Sequence, residues 1–481
     1  MFTKFLFQLR RVRKRLRLAL DSRLVRSSDL FDKEWYLEHN PDVVQSGIDP
    51  VYHYLVYGGL EGRNPGPNFH SRWYLDTYPD VQAIGLNPLV HYLKYGRKEG
   101  RREKPQLFKL SRLYDYSKQR NKIVFEDSPE RIYLQCPNVV GSFSGALSEG
   151  EAFCPLPYIA EIEEAVIFGG DTLVIVDEDT ALNDELVDFN SREFGKKTSH
   201  MQELHQDMGV FTGYKKPDLY IKEGIFLSSG HDANYFHWMV ESLPKLLLVD
   251  SLEQFKDLPL LIPAGLHKNL LVALERLNIN RRPLIFIEPG SAYLVKRLIV
   301  PSALSRIVDR YEGAPVFNVD IVLSHKWLQR ISESLKGNIN YGKKPWRKIF
   351  LTRRKGLRAL GNREQVELML LKEGFEIVEL DGASLDFQIE LFSQASLIIA
   401  PTGAALTNML FCHPGTKVFI FMSNHETTNF YFWSNLGAIN HLDVTTIVGQ
   451  RSFKLTDYYS VHDDYVVDTQ LTLNEIRKSD Q

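Results

Sequence analysis

The chain has 481 residues, 44% of them hydrophobic and 25% charged, with a formal net charge of −2. That length exceeds one ordinary core and points to two or three domains, while the near-neutral balance excludes a general pull toward nucleic acid, so any polyanion must be met locally. Cys136, Cys154 and Cys412 form no CxxC pair and show no zinc-finger spacing; they indicate neither a disulfide framework nor a structural zinc site, and a reducing compartment fits. No apolar run reaches the roughly 18–20 residues that a membrane-spanning helix needs.

Residues 1–28 read as a basic amphipathic helix. Lys4, Arg10, Arg11, Arg13, Lys14, Arg15, Arg17, Arg23 and Arg26 face a single acid, Asp21, and alternate with Phe2, Phe5, Leu6, Leu9, Leu16, Leu18 and Leu20. The segment lacks the uninterrupted apolar core of a secretory signal, and its mixture of cations and Phe/Leu suits an anionic membrane surface met through residues 1–26. The alternative is a disordered basic tail. Residues 31–63 and 69–101 then repeat at a constant offset of 38 with no gap, seventeen positions being identical, Trp35/Trp73, Tyr36/Tyr74, Asp42/Asp80, His53/His91, Gly58/Gly96 and Arg63/Arg101 among them. Each copy predicts one helical hairpin, and residues 31–105 together form a two-copy helical module. Trp35, Tyr36, His53 and Tyr54 read first as packing and capping residues. The functional alternative is a surface that holds a glycan, a partner or the membrane.

Beyond Pro105 short apolar runs alternate with helical stretches, an α/β signature. Strands are expected at Ala165–Phe168, Leu173–Val176, Gly224–Leu227, Leu258–Ile262, Leu284–Ile287 and Arg297–Val300, with helices at Asn234–Glu241 and Lys268–Leu277. After a break at Gly337–Pro345, strands follow at Lys348–Thr352, Phe375–Leu380, Leu397–Ala400 and Lys417–Phe421, with helices at Arg363–Lys372, Phe387–Gln394 and Thr407–Phe411. Two doubly wound domains, 106–335 and 340–481, facing each other across a cleft are the economical arrangement.

Two clusters at strand ends carry chemistry. In Gly230–Pro244, Asn234, His237, Trp238 and Glu241 recur at helical spacing and share one face, Asp232 stands just before them, and Pro244 limits the helix. In Ile398–Asn408, a strand runs into a tight turn of small residues, Thr402, Gly403 and Ala404, followed by Thr407 and Asn408. Such a turn lets a phosphate approach free backbone N–H groups, although close helix–strand packing selects small residues too. Arg353 and Arg354, after strand Lys348–Thr352, add cations suited to a diphosphate; a solvated basic loop is the other reading.

The segments Asn234–Leu246, Leu351–Arg354, Gly374–Phe375, Ala395–Phe411 and Pro414–Val418, in this order and spacing, resemble glycosyltransferase family 61 over roughly residues 120–425. The 38-residue repeat is similar to tandem units found beside bacterial glycosyltransferases of surface-polysaccharide pathways. The resemblance implies a GT-B pair of Rossmann-like domains and a nucleotide-sugar donor, a UDP-sugar foremost, held mainly by the C-terminal domain. It also implies inversion at the anomeric carbon and a glycan or lipid-linked glycan acceptor in capsule, exopolysaccharide or lipopolysaccharide synthesis. The chain departs from the family at Pro401-Thr402-Gly403-Ala404, where members often carry His in place of Thr402.

Single displacement needs a base for the acceptor hydroxyl and positive charge for the leaving diphosphate. Glu241 is the expected base, with His237 as its alternative or orienting partner. Asn234, Asp232 and Trp238 are expected on the acceptor side. Arg353, Arg354, Thr402, Gly403, Ala404, Thr407 and Asn408 are expected around the donor. No cofactor and no metal are required by this scheme. A metal-dependent rival would use Asp177-Glu178-Asp179, and a non-catalytic glycan-binding or scaffold protein is the alternative from another class. The expected location is cytoplasmic, peripheral on the inner face of a bacterial membrane.

Overall fold

The computed structural model describes residues 15–143, 145–177, 179–188, 201–205, 208–211, 217, 219–308, 314–337, 344–354, 358–453 and 463–479. These fall into two compact units, one within residues 1–108 and 200–214 and the other within 109–199 and 215–481. Among the described residues no helix is long and apolar enough to cross a membrane.

In the first unit, residues 15–26 are helical, and residues 1–14 of the expected amphipathic segment lie outside the described residues. Val25 is fully buried, with Leu18 packed beside it on the apolar cluster of the repeats. Asp21 and Arg26 pair with Lys94 and Asp49 of the repeats. Each repeat folds into three short helical pieces rather than the expected hairpin of two, because Pro41 and Pro79 each open a piece of their own at the first helical position. The pieces are Lys33–His39, Pro41–Ser46 and Pro50–His53, the last running on through a π-turn Tyr54–Gly58 into Gly59–Glu61, in the first copy, and Ser71–Thr77, Pro79–Ala83 and Pro88–His91, running on through a π-turn Tyr92–Gly96, in the second.

The identical residues face inward. Tyr36 Oη lies 3.0 Å from His53 Nδ1, and Tyr74 Oη lies 2.9 Å from His91 Nδ1. Arg63 and Arg101 pair with Asp42 and Asp80, each 21 residues back. A Cβ on Gly58 or Gly96 would come within 2.2 or 2.3 Å of the Tyr36 or Tyr74 hydroxyl, so glycine at both places is required by close approach.

The second unit is built on two large sheets, with two two-stranded ribbons beside them. In the first, strands Leu284–Ile287, Leu260–Pro263, Leu219–Phe226 and Ala292–Pro301 are parallel neighbours in that order. The sheet then departs from the all-parallel arrangement expected of a Rossmann-like half, because Tyr158–Phe168 runs antiparallel to Ala292–Pro301 along nine paired residues. The second sheet orders Glu376–Val378, Arg347–Leu351, Ala395–Pro401, Lys417–Ser423 and Asp443–Phe453, all parallel. Its next strand, Asn138–Gly141, comes from the first half of the chain and runs parallel to Asp443–Phe453, fixed by a 2.8 Å bond from Asn138 Nδ2 to Thr445 Oγ1. The division expected near residue 340 is therefore crossed by this strand, whose four residues carry no local sign of which sheet they join. One apolar cluster runs through both sheets and the helices packed on them, from Ile159 and Leu227 to Ile398 and Leu436.

Burial, reinforced by the nearby Arg101, holds the His91 imidazole below its ordinary value. A depressed imidazole favours the neutral form in the folded state, so its contribution is present above pH ~6.5 and is lost as the pH falls from there through the folded-state pKa. Thermal melting of the full chain is expected to lose stability toward pH 5, with His91→Gln flattening that slope; a wild-type profile no steeper than the variant's contradicts this.

Candidate active site

Strand Leu219–Phe226 ends in a loop that a single buried carboxylate organises. Asp232, 4% exposed, accepts hydrogen bonds from Ser228 Oγ at 2.7 Å, Ser229 N at 2.9 Å, Ser229 Oγ at 3.1 Å and Ser242 Oγ. Both oxygens are thus occupied inside the protein, and Asp232 shapes the loop instead of facing an acceptor as expected. Lys245, also buried, donates to Ser228 O from the other side. Asn234 caps the following helix, its side chain accepting from Phe236 N at 2.9 Å.

That helix begins at Tyr235–His237, widens into a π-turn at Trp238–Ser242 and continues as Leu243–Val249. Leu243 N reaches back five residues to Trp238 O. Pro244 has no N–H and in an α-helix its ring would press on the carbonyl four residues earlier; the widened turn just before it relieves both problems, so the helix passes through Pro244 instead of stopping there. Trp238 is fully buried and donates from Nε1 to Leu270 O at 3.0 Å. It is a core residue, contrary to its expected place on the acceptor side. His237 and Glu241 are brought together: Nδ1 lies 2.6 Å from Oε2, with the carboxylate side chain 5% exposed and the imidazole 16%. The His231 ring stands 5.1 Å from that of His237.

The second wall comes from the other sheet. Strand Arg347–Leu351 delivers Thr352, Arg353 and Arg354, and strand Ala395–Pro401 delivers the small-residue turn. Thr352 Oγ1 donates to Glu367. Arg353 Nη2 donates to Arg358 O at 2.8 Å, and its Nη1 lies 3.2 Å from where a Cβ on Gly403 would stand. The two expected donor-binding elements are therefore in contact, and Gly403 keeps the space above the guanidinium open. Burial first, and then Arg358, work against the charge on Arg353, a situation that an anion reverses. Arg354 instead points to solvent, 3.4 Å from Glu379.

Thr402 and the residues after Ala404 turn inward. Thr402 Oγ1 accepts from Trp433 Nε1 at 2.9 Å. Ala404–Phe411 is a 3₁₀ helix in which Thr407 and Asn408 are fully buried. Asn408 Nδ2 donates to Gln388 Oε1 at 2.8 Å and Ala405 O at 3.0 Å, while its Oδ1 accepts from Tyr235 Oη at 2.8 Å. Thr407 Oγ1 is buried with no hydrogen-bond partner. The tight 3₁₀ winding directs both side chains into the wall.

The two walls meet along a seam. Tyr235 bonds Asn408, Phe236 lies 4.5 Å from Phe432 and 5.8 Å from Trp433, and Trp433 bonds Thr402. His237 follows directly, its ring edge-on to Phe236 at 5.4 Å. Two cavities adjoin these walls. Glu241, Lys245, Ser228 and Asp184 line one of about 80 Å³. The other, about 680 Å³, is lined among others by Phe143, Leu147, Phe317, His425, Glu426 and Tyr431. Arg353 lines neither, so Glu241 and Arg353 share the seam but not a cavity. The larger cavity escaped sequence reading, although the mixed polar and aromatic run Asn424–Tyr431, directly after strand Lys417–Ser423, was its signal. Of the acidic triplet, Glu178 lies outside the described residues, and among those described no three potential metal ligands gather.

Residues 235–419 match the family model described as Glycosyltransferase 61. The match spans the His237–Glu241 helix, Arg353 and the Thr402–Asn408 turn, that is, both sides of the seam. No curated protein matches the chain.

Tyr235→Phe removes the hydroxyl that joins the walls and leaves Asn408 Oδ1 buried without that donor. A loss of about 1–3 kcal/mol in urea unfolding is expected; a change below about 0.5 kcal/mol means the seam does not depend on this bond.

Proposed function

We propose that this chain is an inverting glycosyltransferase that moves a sugar from a nucleotide donor, a UDP-sugar foremost, to a glycan hydroxyl, without a resident metal. The observation that carries the reading is the His237–Glu241 pair, 2.6 Å apart, at a seam whose other wall presents Arg353 against Gly403. A carboxylate so deeply buried and so closely bonded suits orientation better than proton abstraction. The roles expected from the sequence are therefore exchanged: Glu241 holds the proton on His237 Nδ1, which makes Nε2 the basic nitrogen.

In the reaction, His237 Nε2 takes the proton of the acceptor hydroxyl as that oxygen bonds to the anomeric carbon from the face opposite the diphosphate. The carbon–oxygen bond to the diphosphate breaks, and its electron pair leaves with the phosphate oxygen. The imidazolium is stabilised by Glu241, and the leaving diphosphate by Arg353 and the backbone amides at Gly403–Ala404. The paired sheets support a GT-B-like arrangement in which the second sheet holds the donor. A surface polysaccharide is the acceptor class, and the exposed Leu16, Arg17, Leu20 and Arg23 of helix 15–26 suit the anionic inner face of a membrane.

Transfer from nucleotide sugars by the purified chain tests this. His237→Ala and Glu241→Gln are each expected to lower kcat by about 10²–10⁴-fold with donor affinity retained, and activity should survive chelator. Arg353→Ala is expected to weaken donor binding by about 10–100-fold, the loss of a charged hydrogen bond worth about 1.5–3 kcal/mol. Wild-type rates in His237→Ala would remove the base from the scheme.

A further inference from the structure

The cavity of about 680 Å³ has no role in the scheme above, yet it falls within the size range of small-molecule sites. It opens beyond the carboxyl ends of Lys417–Ser423 and Asn138–Gly141, the edge of a parallel sheet where ligands of α/β folds collect. Its inner walls are aromatic. Phe430 and Tyr431 are 3% and 4% exposed, with Phe143 edge-on to Phe430 at 4.7 Å and Phe317 tilted against Tyr431 at 6.0 Å.

The frame is fixed by hydrogen bonds. Tyr431 Oη accepts from Ser148 N at 2.7 Å and donates to Ser148 O at 2.9 Å. Asn424 Nδ2 donates to Ser142 O at 2.8 Å. His425 Nδ1 accepts from Thr427 N at 3.1 Å, which places the proton of the neutral ring on Nε2 as a donor. Among the described residues that line the cavity, Glu426 is the one with a formal charge, and it stands exposed at the mouth.

Resting on the glycosyltransferase reading, we infer that this cavity receives an uncharged pyranose unit and turns away acidic sugars such as hexuronates. Ring faces offer a flat apolar surface to the C–H face of a pyranose, and a carboxylate accepts sugar hydroxyls in charge-assisted bonds. The nearest cation acting on this lining, Arg451, is paired with the buried Asp463, so the Glu426 carboxylate is left to repel a uronate or a phosphate. The diphosphate is thereby left to Arg353 and Gly403, and the cavity to the neutral part of a substrate. That pyranose is either the sugar of the donor or the terminal unit of the acceptor.

Binding to the full chain separates these sources. In the donor arm, UDP-glucose, UDP-galactose, UDP-N-acetylglucosamine and UDP-xylose are compared with UDP-glucuronic acid by thermal shift. In the acceptor arm, neutral oligosaccharides are compared with oligouronates in the presence of UDP. Neutral probes are expected to bind at least tenfold tighter than acidic ones in one arm, which names the source. Glu426→Gln should shrink that preference to less than threefold, and Phe143→Ala, at a half-buried ring, should weaken the neutral probe. Equal binding of neutral and acidic probes in both arms, no binding of any neutral probe, or an unchanged preference in Glu426→Gln overturns the inference. Running His237→Ala in parallel keeps the two readings apart. Neutral-selective binding without transfer by the wild-type chain defeats the catalytic reading alone, whereas transfer of a uronate defeats this one alone.

Discussion

Burying a helix on every side obliges each of its polar side chains to find a partner within the protein. From Trp238 to Val249 every residue of the helix at the seam is buried, and the consequences run through the second unit. Trp238 reaches Leu270 O, Ser242 reaches Asp232, Lys245 reaches Ser228 O, and Glu241 reaches His237. The loop before the helix is held by two of these bonds and the imidazole by a third. Most of these polar groups are thus the fixings of a buried element, and the His237–Glu241 pair stands at its start, with the imidazole partly exposed.

Several elements were legible in the sequence. Leu284–Ile287, Lys268–Leu277 and Arg363–Lys372 have the bounds expected of them. What periodicity cannot express is a pairing between distant segments, and so the contribution of Asn138–Gly141 to the second sheet was invisible. Pro244 misled for a related reason: a proline interrupts an α-turn, but whether the chain stops or widens is decided by what surrounds it.

The candidate site was legible in its chemistry and less so in its orientation. Arg353 and Gly403 meet as their residue types suggested, and His237 and Glu241 pair at i, i+4. Asp232, Trp238 and Asn408 are bonded within the protein, and a buried polar group satisfied by neighbours looks the same in sequence as one aimed at a ligand. Thr402 is held from within: its hydroxyl accepts the indole N–H of Trp433, tying the turn to helix Tyr431–Ala438. In the repeats the same logic accounts for the shared residues, which serve the Tyr–His and Arg–Asp contacts inside each copy.

The strand Asn138–Gly141 carries a consequence for biosynthesis. Asn138 meets its partner Thr445 across 307 residues, so at translation rates of about 5–20 residues per second the ribosome needs roughly 15–60 s after making this strand to deliver the one it lies beside. Until then Asn138–Gly141 lacks the strand it lies beside, and Phe143 lacks Phe430, the ring it packs against. Pairing of Asn138–Gly141 into the second sheet is therefore gated by synthesis of Asp443–Phe453.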